Sequence, residues 1–278
     1  MCVFALALGP ALADDDDDDG GPKTRTVKCD KGKSIQKKLD KSKPGDTVVV
    51  RGVCTENITM SVPGVTLMAE AAGDGITAAS SNVITVRTID VTISGLTITG
   101  GSTGIAVLRG GSASISGNHV SGASGTGIVI THNSYGRIVG NTSTGNGSDG
   151  AVVRQGSGAD VHGNNLNSNG DDGLSVQASA VDADGNEMKD NDDEGLESVN
   201  SRVNLSQDSR TGVFSDLPNT MTGNGNNGLR CVSYSSISTG GVKQDFGDIS
   251  TNTGGDFGGG LCVVFDLGNA DPVLNSLP

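Results

Sequence analysis

The sequence has no tryptophan, two tyrosines and five phenylalanines. Any core must therefore be assembled from Val, Ile, Leu and Ala, which suits thin, repetitive β layers. The same scarcity counts against a conventional glycan groove, because sugar clefts use flat aromatic faces as platforms. Long apolar runs are missing as well. Beyond the first turns of sequence nothing approaches the roughly 18 apolar residues that a spanning helix needs, so no transmembrane segment is expected. With 44 glycines and 34% hydrophobic residues, an ordinary helical or α/β protein is disfavoured. Positive charge is scarce outside one short region: residues 52–278 carry nine Lys+Arg against 23 Asp+Glu, a net −14. Such a body repels nucleic acid, and polyanions too unless a metal intervenes, so no nucleic-acid partner is expected.

What is present begins with MCVFALALGPALA, residues 1–13, an apolar stretch ending in a small-x-small pattern. It reads as a signal peptide whose positive start is missing, which places the protein outside the cytoplasm, secreted or periplasmic. Residues 14–22 form an acidic tail led by the six aspartates Asp14 to Asp19, a run that cannot bury anything. Residues 20–51 carry ten Lys+Arg against three Asp, a net +7. Within them Ser34 to Lys43 reads as one short amphipathic helix, with Ser34 as N-cap, Ile35 and Leu39 on one face and Pro44-Gly45 as the stop. β patterns follow at Thr47 to Val53, Asn57 to Met60 and Val65 to Met68. Setting Cys2 aside, the cysteines fall as Cys29 with Cys54 and Cys231 with Cys262. In an exported chain they suggest two disulfides, one at each end, with free buried thiols as the alternative.

From Val91 to Arg202 the chain repeats itself about every 22 residues. A first glycine recurs at Gly95, Gly117, Gly140, Gly163 and Gly185, and a second at Gly104, Gly127, Gly150, Gly173 and Gly195. Such regularity signals stacked units. After the second glycine come Ile105, Ile128, Ala151, Leu174 and Leu196, and before the first come Ile93, Ile115, Ile138, Val161 and Ala183. Ile98, Val120, Ser143, Leu166 and Met188 make a third aliphatic column. Three strand columns per turn, with rungs about 4.8 Å apart, describe an all-β, single-stranded parallel β-helix. Asn118, Asn141, Asn164 and Asn186 tolerate left-handed corners and can hydrogen-bond up the stack, a structural ladder, and Asn146, Asn169, Asn191 and Asn224 suit another corner. Gly228 lies 33 residues after Gly195, which places an insertion near 207–218. The β-helix domain is expected over 23–268, its N-terminal cap over 23–45, and a tail over 269–278.

The run SIQKKLDKSKPGDTVVVRGVCTENITMSVPGVTL resembles the opening of secreted right-handed parallel β-helix proteins, the pectate-lyase-like group, in which a short helix caps the coil. The resemblance implies that right-handed fold and nothing definite about chemistry, since the group includes lyases, hydrolases, epimerases, adhesins and coils of no known activity.

Chemistry-bearing residues gather just before the second glycine: Asp149, then Asp171 and Asp172, then Asp193 and Glu194. Stacked carboxylates repel unless one is protonated or a cation sits between. The sharp readings are a Ca²⁺ site at Asp171, Asp172, Asp193 and Glu194, or a paired-carboxylate hydrolase. Asn146-Gly-Ser-Asp149-Gly150 followed by Asp171-Asp172-Gly173 is similar to the Asn-x-Asp and Asp-Asp motifs of polygalacturonase-like hydrolases. That likeness implies acid and base roles for Asp149, Asp171 and Asp172, with Glu194 as a secondary candidate. Asn146 is one residue too far from Asp149, Glu194-Gly195 replaces Gly-His-Gly, and the Arg-x-Lys signature is missing. The bland reading is that Asp-Gly turns simply solvate the corners. His162, with Asp160, Asp182 and Asp184 around it, is a further acid–base candidate. The expectation is an exported binding or structural module acting as a monomer on a polysaccharide or cell-surface protein. The alternative is a polysaccharide hydrolase or lyase using paired carboxylates.

Overall fold

The computed structural model describes residues 21–205, 218–239, 250–259 and 263–266. Within them the chain winds as a right-handed parallel β-helix whose strands form sheets of eleven, nine and five members. Each strand pairs in parallel with the equivalent strand one turn away, so like residues stack. In the nine-stranded sheet Ile105 meets Ile128, then Ala151, Leu174, Leu196 and Leu229. In the eleven-stranded sheet Ile93, Ile115, Ile138, Val161 and Ala183 are in register. Both columns are buried, as alternation predicts when one face of every strand looks into a narrow interior. Ile98, Val120 and Ser143 stack in the five-stranded sheet, and bridges through Thr142, Asn165, Glu187 and Thr220 carry that column onward.

The corners are held by three polar ladders. At the first, Gly117, Gly140, Gly163 and Gly185 turn the chain at φ between 61° and 63°, a left-handed geometry that a side chain would strain. The following asparagines then stack: Asn118, Asn141, Asn164 and Asn186 each donate Nδ2 to the Oδ1 of the next rung at 2.9–3.0 Å. Asn146, Asn169, Asn191 and Asn224 do the same at the second corner. A third ladder was not foreseen from the sequence. The backbone N–H groups of Ser134, Ser157, Ser179 and Ser201 each donate to the serine Oγ one rung on. Buried amides and hydroxyls are thereby paired, which their burial requires.

The N-terminal end is closed by the helix Ile35–Leu39, capped by the Ser34 side chain and burying Ile35 and Leu39. It ends sooner than the Ser34 to Lys43 reading because only these two apolar residues find the coil. Glu56 anchors it, accepting from Ser34 Oγ at 2.8 Å and from the Ile35 N–H at 2.6 Å. The disulfide Cys29–Cys54 pins the same end. Cys231 is disulfide-bonded too, while Cys262 lies outside the described residues. So do residues 1–20, most of the insertion near 207–218 and the tail 269–278. Among the described residues no helix is long and apolar enough to cross a membrane.

Candidate functional site

Stacking carries the acidic turn residues into a continuous column. The N–H groups of Gly127, Gly150, Gly173 and Gly195 donate to the carbonyls of Asp149, Asp172, Glu194 and Asn227 on successive rungs. The residues before those glycines therefore lie one above another. The glycines themselves are required by close approach: a Cβ at Gly150 would fall 2.8 Å from Asn169 Nδ2. The column begins at Thr126, whose hydroxyl donates to Asp149 Oδ2 at 3.0 Å, and Ser148 Oγ donates to the same oxygen at 2.8 Å.

Asp149, Asp172 and Glu194 are all buried, Glu194 completely. The N–H of Glu194 donates to Asp172 Oδ1 at 3.0 Å, and Asn226 Nδ2 donates to Glu194 Oε1 at 2.7 Å. Glu194 Oε2 is buried without a hydrogen-bond partner. Burial and the charges of Glu197 and Asp149 outweigh the single backbone donor and push the Asp172 carboxyl up to about 9. Burial and Asp193 push Glu194 up to about 7 against the pull of Arg230. The two titrate as a linked pair. Asp171, partly exposed, is raised by burial first and then by Asp149, Asp193 and Glu197.

Carboxylate oxygens converge in two overlapping trios, each within 4.8 Å: Asp171, Asp172 and Asp193, and Asp172, Glu194 and Glu197. Asp172 is the shared member. The four acids expected to hold a metal are thus divided, with Glu194 in the deeper trio, and Asp149 belongs to neither. Glu197 and Arg230 were missed in the sequence. They face each other across adjacent rungs, ion-paired, and Arg230 Nε also lies 3.7 Å from Glu194 Oε1. The signal was available: Glu197 occupies the outward position between the inward residues Leu196 and Ser198, immediately after the acidic turn.

His162 lies elsewhere, on the outer face of the eleven-stranded sheet, with Nδ1 paired to Asp184 Oδ1. Asp160 instead takes the Tyr135 hydroxyl. The structure therefore joins His162 to Asp184, one of its expected acids, and separates it from the column. Chemically, the column offers a protonated carboxyl beside a carboxylate already paired to a guanidinium, an arrangement able to hydrogen-bond hydroxyls, exchange a proton or receive a cation.

A profile of the family described as "right handed beta helix region" matches residues 74–242. No curated protein matches the chain. Similar solved structures include the periplasmic alginate epimerase AlgG, at 18% identity and a TM-score of 0.61 over 80% of this chain and 59% of that one. Pectate lyase Pel9A aligns at 13% identity and 0.61, over 90% and 82%. The enzymatically active domain of bacteriophage CBA120 tailspike protein 2 aligns at 15% and 0.55, over 83% and 40%. The chain thus spans less than two thirds of the epimerase and of the tailspike, and at these identities the likeness is one of fold.

Proposed function

The chain belongs to the right-handed β-helix family, and from that premise we propose that it is an exported, glycan-directed module that binds polysaccharide at the acidic column beside the nine-stranded sheet. The observation that carries the reading is the convergence of the partly exposed Asp171 and Asp193 on the buried Asp172 within 4.8 Å, where burial and like charge hold the Asp172 carboxyl protonated. A donor set among acceptors suits vicinal sugar hydroxyls, which both give and take hydrogen bonds. Export is supported by the Cys29–Cys54 disulfide, a bond that persists in oxidising compartments. The neighbouring alginate epimerase and pectate lyase act on polysaccharides from the same scaffold, which supports a polysaccharide over a cell-surface protein as the partner.

A second reading, a hydrolase or lyase, is favoured by the same pair of groups. Asp172 would serve as general acid and Glu197 as the companion carboxylate, with Asp149 and Asp171 shaping the field. Catalysis would need the glycosidic oxygen to reach Asp172, which is almost fully buried, whereas binding can use the partly exposed carboxylates Asp171 and Asp193 beside it. The trio of Asp171, Asp172 and Asp193, whose first and last members are partly exposed, has the hard oxygen donors that Ca²⁺ takes, and a bound cation would let all three ionise and admit an anionic polymer.

The test is to incubate the protein with a polysaccharide panel, with and without Ca²⁺, and to measure binding, new reducing ends and unsaturated products. Binding without cleavage, weakened by Asp172→Asn, is the expected result. Cleavage abolished by Asp172→Asn would replace the binding reading with the enzymatic one. Neither binding nor cleavage on any polymer would overturn both.

A further inference from the structure

The chain's two tyrosines stand on the same flank of the β-helix, away from the acidic column. Tyr135 is 44% exposed on the outer face of the eleven-stranded sheet, and Tyr234 is 80% exposed on the corner turn after the nine-stranded sheet. In register, Tyr135 is followed on successive rungs by Gly158, Ala180 and Arg202. Two minimal side chains between two large ones leave a notch three strand spacings long, roughly 14 Å. The notch encloses about 180 Å³. At Ala180 and Arg202 it opens into a second groove of about 450 Å³, which reaches Tyr234 past Asn200.

The notch is shaped for a flat ligand. A Cβ added at Gly158 would come 3.3 Å from Tyr135 Cδ2, so the ring leans over Gly158, along the floor. Its hydroxyl donates to Asp160 Oδ2 at 2.5 Å, which holds the ring in place. Asp160 and Asp182 sit on adjacent rungs along one wall, and the exposed Arg202 supplies a cation where the two grooves meet. A ring face, hydroxyl acceptors and a forked donor along one line are the elements that recognise pyranose rings.

We propose that this double groove is a second carbohydrate-binding site, taking a neutral pyranose chain laid along the β-helix axis. Tyr135 and Tyr234 are the platforms at its two ends, and Arg202 and Asp182 contact hydroxyls between them. A neutral chain is favoured over a polyuronate because one guanidinium faces two carboxylates within a strongly acidic body. The site rests on the glycan-directed reading but uses none of the acidic column. The scarcity of aromatics that counted against a glycan groove is answered by position, since the two tyrosines border adjoining grooves that share Ala180 and Arg202.

The experiment is calorimetric titration of the whole chain with neutral gluco-, manno- and xylo-hexaoses and with an oligouronate, each variant checked for folding by circular dichroism. One neutral hexaose is expected to bind. Tyr135→Ala, and separately Ala180→Leu, which fills the notch while removing no contact, should each weaken it at least tenfold. Tyr135→Phe keeps the ring and should cost less. Unchanged neutral binding in both Tyr135→Ala and Ala180→Leu overturns this site while leaving the glycan-directed reading intact. No neutral binding by the unmodified protein, or tighter binding of the oligouronate, also overturns it, and the polysaccharide panel then decides the broader reading separately.

Discussion

Asp46, at the N-terminal end of the coil, and Asp172, midway along it, are 1% and 3% exposed, yet their surroundings drive them in opposite directions. Burial raises both. At Asp46 the backbone N–H groups of Lys43 and Lys23 and the Arg25 guanidinium more than offset it and bring the carboxyl down to about 2. At Asp172 one backbone donor faces burial and a set of neighbouring acids, and the carboxyl rises to about 9. One end of the molecule spends a buried charge on structure, with every oxygen engaged. The acidic column instead holds a carboxyl that stays protonated at neutral pH, which a structural element gains nothing from and a ligand can use.

The contrast is most directly broken by substitution. Asp46→Ala strands Arg25 and two backbone donors and should lower unfolding free energy at pH 7 by about 3 kcal/mol. Asp172→Asn keeps an acceptor for the Glu194 N–H and, above the titration of Asp172 at about 9, removes a like charge, so urea unfolding at about pH 10 should show it at least as stable as the parent. Comparable losses in both variants would erase the distinction.

A pH series sharpens it. Asp172 and Glu194 have folded-state values raised above those of the unfolded chain, so the stability they contribute is complete near pH 4 and falls as pH rises through about 7 and then about 9. Asp46 works the other way: its contribution is present above pH 4 and is lost as pH falls toward about 2. Thermal midpoints should therefore decline between about pH 4 and pH 9, with a shallower decline in Asp172→Asn. A slope unaffected by that change would detach it from the column. The smallest expected effects compare ladders remote from both carboxylates. Asn164→Ala removes an amide bonded both along the stack and to backbone and should cost about 1–2 kcal/mol, whereas Ser157→Ala, which withdraws one acceptor from the Ser134 N–H, should cost about 1 kcal/mol or less. Equal losses would show that the two corners carry similar weight.

Much of this was legible beforehand because a repeat of constant length stacks like on like. The aliphatic columns and both asparagine ladders follow from the glycine spacing alone. The serine ladder escaped notice because Ser134, Ser157, Ser179 and Ser201 stand among many other serines, and hydroxyls mark a corner less clearly than amides do. In the acidic column, Asp149, Asp171, Asp172, Asp193 and Glu194 stood out as a charge pattern. Glu197 and Arg230 did not, because their ion pair joins residues 33 apart in sequence.

The sequence by itself determined the parallel β-helix, the inward columns, the short capping helix and the placement of acids on the turns. These depend on period and alternation, which are properties of the chain read along its length. It took the tertiary structure to show that Asp172 is shared by two carboxylate trios, that His162 belongs to Asp184 and not to the column, and that Tyr135 and Tyr234 line adjoining grooves meeting at Ala180 and Arg202. Those relations run across rungs and around corners. They depend on how far each side chain projects and what shields it from water, and the spacing of letters does not carry that.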